Sequence, residues 1–375
     1  ILRAPITPSP LKIIHLKNRL HMKNFNPFFA KNKQPFDTIP FNKIETKYFI
    51  PAIKKGINDA VENIRLIVQT SDEATFKNTI LPLELSSEKL DNVSRVYFHL
   101  FGSESDDNFQ KLSSEISPML ADHTNNVLLD EKLFEKVKRV HENRSEIKDE
   151  QDKKLTEVWY SEFVRNGANL KEIQKNQLRK LDEELSTLAP KFQNNNLKAT
   201  NSFELWLKES DLSGLPESVI DNAKNEAISR KQPEKWLITL QAPSFLPFLT
   251  FSDNRALRKK IMLANAQKCN GGENDNTIIL KKIVKLKHKR AKLLGYENFA
   301  DYILEKRMAS SQKMIYQLLD DLYDSCIDIA KEDLEKIANL ALELDGIDDL
   351  QRWDFDYYSE KLKKRIYDFN DDELR

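Results

Sequence analysis

Glycine is scarce in this chain, with 8 among 375 residues. That is too few to supply the turns of a many-stranded barrel or sandwich. No G-x-G-x-x-G or G-x-x-x-x-G-K stretch is present to cradle a phosphate, which argues against nucleotide-binding α/β folds. Cysteine is rarer still. Cys269 and Cys326 stand far apart with no C-x-x-C, so neither a disulfide framework nor a zinc knuckle is available, and a reducing compartment fits. Each is expected to be a small buried apolar residue. Net charge is missing as well: Lys plus Arg and Asp plus Glu both number 59. No overall field draws the protein toward a nucleic acid or an anionic membrane, and neither is expected as a partner. The apolar runs are only a few residues long, against the roughly 18 to 20 of a membrane span.

What is present is helix. Eight of the 14 prolines lie in the first 82 residues and the last is Pro247, which leaves a long C-terminal stretch free of helix breakers. Ser311 to Leu344 repeats apolar residues at a period of 3.6, including Ile315, Leu318, Leu322, Ile329, Ile337 and Leu340, and Gly346 is placed to end that helix. Leu170 to Leu188 should end at Pro190, and Ile278 to Leu294 at Gly295. Further helices are expected near 48–69, 86–101, 107–122, 130–142, 154–166, 216–229, 254–265 and 355–367. Only Ser202 to Leu207 and Trp236 to Leu240 alternate like strands, enough for a small β-ribbon. The segments between and after them, DLSGLP and QAPSFLPF, read as turn and loop, as do Asn194 to Asn196 and Cys269 to Asn276. The fold class expected is all-α.

Residues 1–21 are basic, contain no acid and carry Pro5, Pro8 and Pro10. They read as a disordered leader or upstream translation, with the domain beginning at Met22 and a cytoplasmic location. The charged stretch His141 to Lys154 is a solvated helix face or a junction, and the domain boundaries expected are 22–150 and 151–375.

A search for catalytic chemistry finds gaps. A helical zinc site needs two histidines at i and i+4. The residues four after His15, His21, His99, His123, His141 and His288 are Arg19, Phe25, Ser103, Val127, Ser145 and Lys292. His141–Glu142 comes nearest, and Ser145 spoils it. His99 reads as a core-edge residue among Tyr97, Phe98 and Phe101, and His123 and His288 read as helix-surface residues. No G-x-S-x-G exists. The pairs Asp320–Asp321, Asp348–Asp349 and Asp371–Asp372 read as solvated. The lysine-rich segment Lys281 to Lys292 reads as an amphipathic helix with a basic outer face.

Longer strings say more. Phe163 to Leu170 (FVRNGANL), KLDEELSTLAPKFQNN from Lys180, LPESVIDNAKNEA from Leu215, WLITLQAPSFLPFLTFSDNRALRKKI from Trp236 and AKLLGYENFADYILEKRMA from Ala291 stand in that order. With the WD-x-x-YY-x-E-K segment Trp353 to Lys361, they make the chain resemble the thimet oligopeptidase and peptidyl-dipeptidase family of zinc metallopeptidases, from about Phe25 to Arg375. FVRNGANL leans toward the peptidyl-dipeptidase branch. The resemblance implies a helical two-lobed enzyme whose channel admits short unstructured peptides. It also implies a zinc that lowers the pKa of its water and polarises the scissile carbonyl, with a glutamate taking the proton. The family's H-E-x-x-H helix, downstream glutamate and later histidine and tyrosine have no counterpart here. The expectation is therefore one lobe of such an enzyme, with no catalytic and no metal residue in this chain, no zinc bound by it, and a missing C-terminal catalytic lobe as partner. Substrate-contacting residues stay unassigned, and internal cleavage stays beside release of C-terminal dipeptides. A non-catalytic helical interaction protein sharing the lobe is the alternative. Trp353, Phe355, Tyr357, Tyr358, Leu362, Ile366 and Tyr367 are expected to leave the last helix poorly packed, or the chain to self-associate.

Overall fold

The structure, a computed structural model, describes residues 26–30, 34–103 and 106–367. The leader 1–21, with His15 and His21, lies outside them, as does the pair Asp371–Asp372. Contacts divide the chain into two units at Pro190/Lys191. The junction read at 150/151 falls inside the first unit, where Asp149 caps a helix by accepting from the backbone N–H groups of Gln151 and Asp152.

In the first unit, helix α1 (Phe49–Gln69) buries Phe49, Ala52, Ile53, Gly56, Ala60, Ile64 and Ile67. The three- and four-residue steps put all seven on one face. α2 (Leu81–Leu85), α3 (Glu88–Ser103), α4 (Asp107–Leu128), α5 (Glu131–Glu142) and α6 (Glu150–Arg165) follow. Phe49, Ala52 and Ile53 share a core with Leu90, Val93, Tyr97 and Ile116. Ile64 and Ile67 share another with Leu133, Val137, Val140 and Phe163. A Cβ on Gly56 would stand 3.0 Å from the Leu90 Cα, so glycine lets α1 and α3 approach closely. FVRNGANL closes α6: Phe163 is fully buried, the Asn166 amide donates to the Glu162 carbonyl at 2.9 Å, and Gly167 turns the chain at φ 99°.

Helix α7 (Glu172–Ser202) runs through Pro190 and through Asn194 to Asn196, which corrects both the stop and the loop expected there. The Asn195 amide donates to Asn276 Oδ1 at 2.9 Å, and Asn276 Nδ2 donates to the Phe192 carbonyl at 3.0 Å. A partner far along the chain thus engages side chains that in isolation favour turns.

In the second unit, β1 (Leu205–Leu207) pairs antiparallel with β2 (Trp236–Ile238), with Leu205 opposite Ile238 and Leu207 opposite Trp236. This is the expected ribbon, shortened. α8 (Glu217–Ser229) and α9 (Ala242–Phe251) cover it. QAPSFLPF is therefore helix: Pro243 sits in the first turn, where its missing N–H has no intrahelical partner to lose, and burial of Phe248 and Leu249 offsets the cost of Pro247. α10 (Arg255–Ala266), α11 (Thr277–Leu293), α12 (Phe299–Leu304), α13 (Gln312–Asp345) and α14 (Arg352–Tyr367) complete the unit. Ser311 caps α13 by accepting from the Met314 N–H, and Gly346 ends it at φ 65°. α14 is better anchored than expected: Asp354, Tyr357 and Tyr358 are buried, and exposure is confined to its edge and last turn, where Ile366 and Tyr367 lie. The architecture is all-α apart from the ribbon.

Candidate functional site

The histidines do not converge on a metal site. His99 is exposed, its ring 6.4 Å from that of Phe41. His123, read as a surface residue, is buried with no hydrogen-bond partner at Nδ1. Burial holds its pKa below the usual imidazole value, against the pull of Asp91 and Asp122. His141 lies flat on Tyr160, ring centroids 3.9 Å apart, and burial and then Arg144 lower its pKa. His288 is exposed. The cysteines are less buried than expected, because Cys326 is exposed and Cys269 is intermediate. Asp320, Asp321, Asp348 and Asp349 are solvated. Among the described residues, no group of three or more His, Cys, Asp or Glu side chains is arranged to hold a metal ion. H-E-x-x-H is also absent from the whole sequence, so the residues present do not fit a zinc site.

A cavity of about 460 Å³ opens in the first unit, lined by Asn63, Leu66, Thr70, Asn78, Pro82 and Ser86 among others. Its polar groups serve the backbone. The Asn63 amide donates to the Ser86 carbonyl, and Lys136 donates to that of Thr70 at 2.7 Å. Nothing there converges on a ligand.

The densest chemistry lies where two of the resembling strings meet. Arg255 and Arg258 stand one turn apart at the start of α10, a helix with no acidic residue of its own. Their counter-charge is Asp354, in the first turn of α14 and fully buried. Arg255 approaches it through Nε at 3.0 Å and Nη2 at 2.7 Å, Arg258 through Nη2 at 3.0 Å, and the Gln351 backbone N–H at 3.1 Å. Four donors occupy the four lone-pair positions of the carboxylate. Burial works to raise the Asp354 pKa, but the arginine hydrogen bonds outweigh it and the group sits below its usual range. Arg258 also donates to the carbonyls of Ser252 at 2.7 Å and Trp353 at 3.1 Å, and its guanidinium lies 4.0 Å from the centre of the Tyr357 ring.

The two tyrosines extend the cluster. Tyr357 donates to Asp253 Oδ1 at 2.7 Å, Ser213 donates to Asp253 Oδ2 at 2.7 Å, and Tyr358 donates to Asp345 at 2.6 Å. Burial, reinforced by these carboxylates, raises both phenol pKa values well above the ordinary range. Every group has a partner and none is poised to exchange a proton. The cluster braces α10 and α14; it is not acid–base machinery. The signal that could have located it is the pair of arginines on a helix free of acids, which requires a distant carboxylate.

Comparison with known proteins matches these strings to one family. Residues 248–375, which include the brace, match the sequence model of peptidase family M3. The chain is similar to oligopeptidase A of Escherichia coli, 30% identical over 348 residues that cover 91% of this chain and 51% of that protein. It is similar also to dipeptidyl carboxypeptidase of Escherichia coli, 28% identical over 94% of this chain and 52% of that protein. A probable thimet oligopeptidase of Arabidopsis thaliana is 24% identical over 85% and 43%. The chain thus resembles the M3 peptidases and spans about half the length of the curated relatives it matches.

Proposed function

We propose that this chain is the N-terminal part of a zinc metallopeptidase that hydrolyses short peptides, of the peptidyl-dipeptidase type that releases C-terminal dipeptides. It would form one wall of the channel that admits them. The observation that carries the reading is the extent of the likeness, which runs over 91% of the chain to an oligopeptidase and over 94% to a dipeptidyl carboxypeptidase. The lean to dipeptide release rests on FVRNGANL, because identities of 30% and 28% do not separate the two branches. Zinc belongs to the half that this chain does not span, and no residue here is assigned to it. What this chain contributes is shape: a helical wall with the α10–α14 brace fixing the segment that carries the family match. A cytoplasmic location is part of the proposal, to be tested by fractionation. Among the described residues no helix is long and apolar enough to cross a membrane.

The experiment compares residues 1–375 with the same residues fused in frame to the unspanned half of Escherichia coli oligopeptidase A. Zinc after dialysis and hydrolysis of a fluorogenic peptide are measured on both. The expectation is stoichiometric zinc and turnover for the fusion and neither for the chain alone, with mass spectrometry separating dipeptide release from internal cleavage. One tightly bound zinc or turnover on the chain alone would overturn the assignment of zinc to the other half. A folded fusion without hydrolysis would favour the non-catalytic interaction protein.

A further inference from the structure

Helix α13 has one apolar face, and its own unit covers only one end of it. Ile337 and Ala341 are buried with Tyr357 and Tyr358 in a small core, and Leu340 is buried as well. At 100° per residue the same face continues back through Ile329, Cys326, Leu322, Leu319, Leu318 and Ile315. There it is open: Leu318 is 59% exposed, Leu322 52% and Ile329 62%, with Cys326 exposed between them. The opposite side carries Asp320, Asp321, Asp324, Asp328 and Glu335, all in water. A helix meant for solvent on every side is polar all round, whereas this one is amphipathic over its uncovered length. The burden of exposed apolar surface, expected from sequence on the final helix, lies on α13.

The sequence comparisons indicate what covers it. The family match contains all of α13 and runs to residue 375, while the relatives are about twice the length that this chain spans. A second copy of the chain is disfavoured by charge, because residues 312–345 hold nine acids against three lysines. Two such helices laid face to face bring like charge together along both flanks. We propose that the α13 face from Ile315 to Ile329 is the seat of the half of an M3 peptidase that this chain does not span, which meets it with an apolar ridge. The proposal rests on the reading above.

Cys326, in the middle of the face, serves as the probe. Its reaction with a chromogenic disulfide is timed in residues 1–375 and in the fusion described above, each carrying Cys269→Ala and the added half made free of cysteine. Labelling should be at least about tenfold slower in the fusion, since a covered thiol reacts only when it opens. An unchanged rate in a folded fusion overturns the proposal. So does a Cys326–Cys326 disulfide that forms readily in dilute chain and persists in the fusion, which would mark the face as a contact between copies. Leu322→Asp should lower the melting temperature of the fusion by more than that of the chain alone, where the residue is half exposed and only the helix's own preferences are disturbed; equal shifts in both contexts count against the seat. If the fusion does not fold, a cysteine placed in intact Escherichia coli oligopeptidase A at the position aligned with 326 gives the same readout: slow labelling supports the seat and fast labelling overturns it. Hydrolysis is scored separately. A fusion that cleaves peptide with Cys326 still reactive removes the seat and keeps the peptidase reading; one that protects Cys326 without cleaving does the reverse.

Discussion

Arg258 and Asp354 meet sealed from water, the guanidinium 3.0 Å from the carboxylate and their side chains 1% and 0% exposed. Neither has an exit to solvent, so Arg258 is tolerated because Asp354 is there, and Asp354 because Arg258 and Arg255 share its charge. The pair joins the first turn of α10 to the first turn of α14 across 96 residues of sequence.

Removing one partner should therefore cost more than removing both. Asp354→Asn leaves a buried guanidinium without counter-charge and is expected to lower stability by about 3–5 kcal/mol. Arg258→Met with Asp354→Leu removes both charges, and its loss should be smaller than that of Asp354→Asn alone. Urea denaturation of the natural chain and the two variants decides this; a double variant that loses as much as Asp354→Asn, or more, would mean that the buried guanidinium is not what the single substitution leaves stranded.

That brace was not legible in the sequence, and the reason is physical. The caps of α13 at Ser311 and Gly346 are local chemistry, fixed by neighbours a few residues away, and so the ends of that helix could be read directly. Arg258 and Asp354 are paired by tertiary folding alone. Pro190 misled in the opposite direction: its local rule says stop, but Asn195 and Asn276 hold the helix through it. Periodicity found the α13 stripe and could not say whether it was covered, since an apolar face reads the same whichever partner buries it. No catalytic residue was assigned from sequence, and among the described residues the structure assembles no metal cluster.

His123 makes stability depend on pH. Its folded pKa lies below the usual imidazole value of 6.5, so the unfolded chain binds more protons as pH falls past about 6.5. Its contribution is fully present above that value and declines as pH drops toward the folded pKa. Melting temperature should fall between pH 7.5 and 5.5 by more in the natural chain than in His123→Gln, with His141 leaving a residual slope of the same sign. Parallel profiles would show that the buried ring is not the titrating group.

Pro190 removes one amide donor from the interior of α7. Pro190→Ala restores that donor and relieves the ring against the preceding turn, and should stabilise the chain by up to about 3 kcal/mol. Thermal melts followed by helical circular dichroism would record the gain. A loss would indicate that the helix is kinked there to good effect and that straightening it strains the Asn195–Asn276 contact.

Gly214 tests the brace from its far end. The residue sits at φ 83°, and a Cβ there would lie 2.3 Å from the Phe251 carbonyl oxygen and 2.7 Å from Asp253 Oδ1. Both are atoms that cannot yield cheaply: the first is backbone, and the second belongs to the carboxylate that receives Ser213 and Tyr357. The Asp253 N–H donates to the Ser213 carbonyl at 3.0 Å, so the turn around Gly214 and the support of Tyr357 are one piece of structure. Gly214→Ala should cost about 2–4 kcal/mol, from backbone strain and the displaced oxygens together. Gly102→Ala is the control. That glycine lies in the last turn of α3 with nothing within 4 Å of a built Cβ, and alanine there should be neutral or stabilising by up to about 1 kcal/mol. Because Asp253 supports Tyr357 and Tyr357 stacks on Arg258, Gly214→Ala combined with Asp354→Asn should lose less than the sum of the two. Strict additivity in urea denaturation would show that the turn and the ion pair are separate features.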